Sequence, residues 1–311
     1  MKIYLATGAE IMKNLMLIVN PKAGKGQAKG SVGTIVSVFR DHGYFSHVFM
    51  TRKPGEAQEF AQTYGKNYEL LVCVGGDGTL SDVIAGVSSL KDGEKPVIGY
   101  IPMGTANDVA SSLSLSKTPM QAAEVIMTGK TIYLDVGRMN GNSFSYIAAF
   151  GAFADVSYTT PQNTKNVLGH LAYLIEGAAR LPEIKPHHAV VEHDGGTIEG
   201  DFLFGCVMNT LSVGGIIKFD PSTVELSDGY FEIILIRQPA NFFEYGDIIS
   251  AVTTKKFNNK NVTMLHTKTA KFTFNEPVSW TRDGENGGAH TVLDVSNLQC
   301  AVQIVVPKDG D

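Results

Sequence analysis

The chain has 311 residues, 43% hydrophobic and 18% charged, a globular composition that excludes an intrinsically disordered protein and leaves room for two domains. Its formal net charge of −5 speaks against a partner held by neutralising nucleic-acid phosphates, although backbone amides can still build a local site for small anions. Three widely spaced cysteines, Cys73, Cys206 and Cys300, support neither a zinc site nor a disulfide scaffold and fit a reducing cytoplasm.

The apolar stretch at residues 3–9 is too short for a signal peptide or a membrane span. Met12-Lys13-Asn14 would itself make a normal start, so residues 1–11 read as an upstream extension outside the fold. Residues 15–20 form a strand-like run ending in Asn20-Pro21, followed by Lys22-Ala23-Gly24-Lys25-Gly26. Val32, Ile35, Val36 and Phe39 predict a helix over 31–42, closed by Gly43. Strands at 46–51, 68–74 and 97–101 then alternate with helices at 55–64 and 80–87. Strand, loop, helix, repeated, predicts parallel βαβ units, which bind ligands at the carboxyl ends of their strands. The glycine-bearing loops fall at those ends.

The pattern changes after Gly129. A β-rich run at 131–139 meets Asn140-Gly141-Asn142, a strong hairpin signal, and then a run at 143–150. Further strands are expected at 188–193, 197–208, 230–237, 271–275 and 300–306, mostly antiparallel and read as a β-sandwich. Val167, Leu171, Leu174 and Ala178 share one helical face, closed by Pro182, and a second helix over 242–252 follows Asn241 as its N-cap. The boundary falls near 129–134, dividing residues 1–131 from 132–311, with the last strand able to return to the first domain.

Gly75-Gly76-Asp77-Gly78-Thr79 is the strongest chemical signal. Successive glycines let amides turn toward one anion, and the helix that follows adds its N-terminal partial charge. A side chain at Gly76 would obstruct that approach, and positive φ is expected there. Asp77 cannot attract phosphate, so it belongs near a hydroxyl or a magnesium ion; the plainer alternative is a sharp turn in which Asp77 caps the helix.

Gly24-x-Gly26 near Lys22 and Lys25 reads as a second phosphate contact or as an ordinary turn. It is neither GxxxxGK[ST] nor GxGxxG, which turns the reading away from a dinucleotide dehydrogenase. Gly104-Thr105-Ala106-Asn107-Asp108 again joins glycine, hydroxyl and carboxylate, with a helix N-cap by Thr105 or Asn107 as the alternative. Asp283-Gly284-Glu285 is either a surface turn or a tight turn whose two carboxylates point the same way and can take a proton from a hydroxyl. Asp228-Gly229, within Glu225-Leu226-Ser227-Asp228-Gly229-Tyr230, carries the same ambiguity. His187-His188 and His193 lack a third spaced ligand and read as surface.

Taken in order, Asn20-Pro21-x-x-Gly24, Gly75 to Thr79, Gly104-Thr105-x-Asn107-Asp108, Asp228-Gly229 and Asp283-Gly284-Glu285 resemble the diacylglycerol kinase catalytic family, in its branch of soluble bacterial lipid kinases. The resemblance spans residues 15–307. It implies an α/β fold: an N-terminal parallel-sheet nucleotide-binding domain similar to those of NAD kinase and phosphofructokinase, a C-terminal β-sandwich domain for the lipid, and an active site in the cleft between them. It implies ATP contacts from Asn20, Gly24, Gly75, Gly76, Asp77, Gly78, Thr79, Gly104, Thr105 and Asn107, with Thr51 near the base or ribose. Asp283 would be the general base, with Glu285 beside it.

The family's magnesium network would carry onto Asp77, Asp108 and Asp135, and its structural Mg²⁺ site onto Glu225, Asp228 and Tyr230, the outer two through backbone carbonyls. Two positions depart from the family pattern: Glu225 stands where lysine is frequent, and Ala23 where many relatives have serine. The implied activity is ATP- and Mg²⁺-dependent phosphorylation of a lipid hydroxyl, such as that of diacylglycerol. The implied location is cytoplasmic, with transient contact to the membrane surface that holds the lipid and no nucleic-acid partner; a homo-oligomer stays open. The rival readings are an NAD kinase-like enzyme, which shares GGDGT but not GTxND or the late DGE, and a non-catalytic nucleotide-sensing module.

Overall fold

Uninterrupted apolar runs build the centre of the first sheet. In β1 (Lys13–Val19) every residue from Leu15 onward is buried, and β3 (Leu70–Gly75) is buried throughout, as expected of parallel strands covered on both faces. The computed structural model describes residues 12–105, 107–116, 118–151, 185–213, 217–219, 224–254, 256–257 and 259–308. It divides into two compact units, one of Met1–Leu134 with Ala301–Asp311, the other of Asp135–Cys300.

In the first unit, β2 (Tyr44–Met50) and β3 flank β1, and β4 (Val97–Pro102) flanks β3, all in parallel; Ile304 near the chain's end pairs in parallel with Ile98. Helices α1 (Gln27–Asp41), α2 (Glu56–Tyr64), α3 (Asp77–Ser88), α4 (Asp108–Ser112) and α5 (Pro119–Thr128) fill the connections. Ile35, Phe39, Ala122 and Ile126 join Leu15, Leu17, Val72 and Val74 in one core. Helix α1 begins at Gln27 rather than at residue 31, because Gly24, Lys25 and Gly26 all hold positive φ and turn the chain straight into it. Its first turn is mostly exposed and shows no apolar period.

In the second unit, the end of β5 (Lys130–Met139), from Gly137 on, and β6 (Asn142–Phe144) make the expected hairpin, with Asn140 and Gly141 at φ 45° and 83°. The remaining strands are β7 (Ile147–Gly151), β8 (His187–His193), β9 (Gly196–Met208), the short pair β10 (Ser212–Val213) and β11 (Ile217–Lys218), β12 (Phe231–Arg237), β13 (Val262–Thr267), β14 (Thr269–Arg282) and β15 (Glu285–Val306). All of these pairings within the unit are antiparallel. The early halves of β9 and β14 both pair with β8, and their late halves both pair with β7, so the sheet closes on itself. It encloses Phe144, Phe150, Phe202, Phe231, Phe272 and Trp280.

Strands β14 and β15 far outrun the expected 271–275 and 300–306, because register shifts at Thr273/Val278 and Trp280/Thr281 let them bend and continue. Helix α6 (Phe242–Thr254) starts as expected: the Asn241 side-chain oxygen accepts the N–H groups of Phe243 and Glu244 at 3.0 and 3.2 Å. His188 is held at the surface by Asp201 and Glu199. The helix expected over 167–178 and the segment 1–11 lie outside the described residues.

Candidate active site

The carboxyl ends of the parallel strands are laced together. The N–H of Asn20 donates to Val74 O, that of Thr51 to Val19 O, and that of Met103 to Gly75 O, at 2.9, 2.9 and 2.7 Å. The three glycine loops therefore meet. Asn20 Nδ2 donates to Thr79 Oγ1 at 3.1 Å, and a Cβ built on Gly24 would lie 3.3 Å from Met103 Cε. A Cβ on Gly76 would lie 3.1 Å from Gly104 Cα, and one on Gly104 only 2.7 Å from Gly76 Cα. Gly76 sits at φ −91°, so the expected positive φ is corrected: close approach to Gly104, not a left-handed backbone, is what requires glycine there. Gly75 is hemmed in by the Thr79 side chain, and Gly78 lies in the first turn of α3.

Asp77 does not cap its own helix. Its carboxylate accepts the N–H of Asp108 at 3.2 Å and that of Val109 at 3.3 Å, the first turn of α4. Neither Thr105 nor Asn107 supplies that cap; Thr105 is exposed. Asn107, at φ 52°, turns its side chain back to accept from Gly104 N and donate to Gly104 O, at 2.8 and 2.9 Å, which braces the loop. Burial and the neighbouring Asp108 carboxylate push Asp77 up to about 6. The half-buried Asp77 and the buried Asp108, mutually repelling carboxylates beside a glycine–glycine contact, are a hard-oxygen donor pair suited to a divalent cation.

Thr51 is buried, and its hydroxyl also reaches Val19 O, at 3.4 Å. Arg52 and Glu56 close the turn that follows: the Glu56 carboxylate accepts the Arg52 N–H and the guanidinium, which holds its pKa below the usual range. Asp82, which the sequence reading passed over, accepts the Gly55 N–H at 3.2 Å. Only its place five residues after Asp77 on α3 hinted at it.

In the second unit, Asp283 and Gly284 form the turn between β14 and β15, at φ 48° and 80°. The two carboxylates of the DGE motif part company, which corrects the expectation that they point the same way: Asp283 is buried and Glu285 exposed. Asp283 accepts from Ser145 N and Oγ on one oxygen and from Tyr146 N and Ile147 N on the other, at 2.7–3.1 Å. This explains why the run expected over 143–150 breaks between β6 and β7: its amides at the break turn to a carboxylate.

Asp135 is buried and accepts from Cys300 N and Gly229 N, both at 2.6 Å, and from Asn297 Nδ2 at 3.2 Å. Burial pushes its pKa up against the pull of those donors. It thereby organises the Glu225-to-Tyr230 loop, in which Asp228 accepts the Tyr230 N–H and faces His266 Nε2 at 3.4 Å; Glu225 is exposed. Asn209 and Asn297, which the sequence reading missed, donate to Leu226 O and Tyr230 O. Their side-chain oxygens and Glu232 Oε2 are buried without a hydrogen-bond partner. Orphaned acceptors around this loop suit a cation or its waters. Among the described residues no three His, Cys, Asp or Glu side chains form a metal-holding group.

Glycine loops at parallel strand ends with an acidic pair beside them are what phosphoryl transfer asks of a protein: a cradle for phosphates and carboxylates suited to a cation. The sequence model of the diacylglycerol kinase catalytic domain matches residues 14–139. The diacylglycerol kinase of Bacillus subtilis is 30% identical, with 96% of this chain and 98% of that protein covered; the one from Staphylococcus carnosus is 32% identical, with 96% of each covered. A solved Bacillus anthracis structure shares the fold at TM-score 0.80 and 23% identity, covering 98% of both chains. The chain belongs to the diacylglycerol kinase family and is a lipid kinase.

Proposed function

We propose that the enzyme transfers the γ-phosphate of ATP to the free hydroxyl of diacylglycerol, giving phosphatidic acid, with Mg²⁺ as cofactor. The observation that carries this reading is the Gly76–Gly104 approach with Asp77 and Asp108 beside it: two loop backbones brought to one point for phosphates and a carboxylate pair suited to a cation. Phosphoryl transfer asks little more of a protein than positioning and charge neutralisation. Asn20, Gly24, Gly75 to Thr79, Gly104, Thr105 and Asn107 would hold the triphosphate, and Thr51 the base or ribose.

Asp77 and Asp108 would hold Mg²⁺, while Asp135 would order the Glu225-to-Tyr230 loop through the Gly229 amide. Asp228 with the Glu225 and Tyr230 carbonyls would hold a structural ion, for which the exposed Glu225 side chain is not needed. Bound magnesium supplies charge neutralisation at the phosphates. Asp283 takes the lipid hydroxyl proton. Among the donors named above, the Ser145 hydroxyl can rotate away and free an acceptor position, whereas the three backbone amides are fixed. The substrate would be met at a membrane surface by a cytoplasmic enzyme; among the described residues no helix is long and apolar enough to cross a membrane. ATP consumption with and without dispersed diacylglycerol tests this reading. Turnover should depend on the lipid and on Mg²⁺, and lipid-independent hydrolysis alone would contradict it.

A further inference from the structure

Helix α3 caps two other helices. At its first residue, Asp77 accepts the amides that open α4, and one and a half turns later Asp82 accepts the amide of Gly55, the residue that caps α2. Asp82 and Gly86 lie on one face of α3. At Gly86 the absence of a side chain lets α3 close on α2, where a Cβ would come within 2.7 Å of Ala61 Cβ and Gln58 O. Asp82 is thus carried to the amino end of α2, beneath the turn that follows Thr51. That turn is locked from the other side by Glu56 on the Arg52 amide and guanidinium, while Thr51 itself is tied to Val19 O beside Asn20.

We propose that Asp82 is a positioning residue for nucleoside recognition: by fixing Gly55 it sets the Thr51-to-Glu56 turn relative to the phosphate loops at the other end of the same helix. This rests on the nucleotide reading above. The fixed separation along α3, about 7.5 Å for five residues, keeps the two ends of the nucleotide site in step. Asp82 acts through the turn rather than on the reacting atoms, so its loss affects the nucleoside end selectively.

The test compares Asp82→Ala and Gly55→Ala in the full chain, measuring kcat, KM for ATP, and calorimetric Kd for ATP and for inorganic tripolyphosphate. Gly55 holds φ +78° with open space around its Cβ position, so alanine there perturbs the turn's backbone without a clash. Both variants should raise KM and Kd for ATP about tenfold while kcat and the tripolyphosphate Kd stay within about twofold. Wild-type ATP affinity in either folded variant overturns the proposal, as does an equal loss for ATP and tripolyphosphate, which marks general loosening of α3. A wild-type protein that binds neither probe overturns the nucleotide reading itself, and the proposal with it.

Discussion

Asp77 caps a helix other than its own, holding the amides of Asp108 and Val109 while standing next to the Asp108 carboxylate. The arrangement joins two loops that come 31 residues apart in the chain and sets two carboxylates side by side.

The first expectation concerns that charge. With its folded value raised to about 6 from 3.8, Asp77 favours the protonated form in the folded state. Its contribution is fully present at low pH and is lost as pH rises through about 6. Asp77→Asn lifts the burden above that pH while still offering one cap acceptor. Without nucleotide or metal, its stability relative to wild type should rise by about 1–3 kcal/mol between about pH 4.5 and 7.5. Urea unfolding of both proteins across that range measures it; a pH-independent difference contradicts the assignment.

The loop contact gives a ranked pair of variants. Alanine at Gly76 must displace Gly104 slightly, whereas alanine at Gly104 collides with both Gly76 Cα and Asn107 Oδ1, each at 2.7 Å. Gly104→Ala should weaken Mg·ADP binding more than Gly76→Ala, with Gly76→Val also losing about tenfold or more from its larger side chain. Calorimetric titration reads the order. Unchanged affinity in all three would show the loops to be turns only.

Local signals were legible where chemistry and backbone coincide in a few residues. Asn140-Gly141 fixed a hairpin, Asn241 an N-cap, and the glycine loops their places at strand ends. Contacts between distant segments were not. Nothing near Asp283 announces that it binds amides 136–138 positions away, and nothing near Asp135 announces Cys300, 165 positions on. The positive φ expected at Gly76 failed for a related reason, since its glycine requirement comes from another loop. Helix α5 and strand β13 went unread.

Asp283→Asn should cut turnover by about 10²–10⁴, the usual contribution of a positioned general base. It should also destabilise the fold by about 1–3 kcal/mol, because an amide nitrogen would face donors from residues 145 to 147. Turnover is therefore compared at a temperature where both proteins are folded. More than half of wild-type turnover would remove Asp283 from the chemistry.

The cysteines report on both units. Cys73 and Cys206 are buried, and burial pushes Cys206 up to about 12 and Cys73 higher than its usual range; Cys300 is exposed, with its thiol also raised. Native protein should react slowly at one thiol per chain, and urea-unfolded protein at three. Rapid native modification of Cys73 or Cys206, located by peptide mapping, would contradict the packing of that unit.

The central claim is the chemistry itself. Transfer from [γ-³²P]ATP should be measured across a panel of dispersed diacylglycerol, sphingoid base, phosphatidylglycerol and polyprenol, alongside NAD and a water-soluble alcohol. The expected result is Mg²⁺-dependent labelled phosphatidic acid that rises with the surface concentration of diacylglycerol. Preferential labelling of NAD or of the soluble alcohol over every lipid would contradict it.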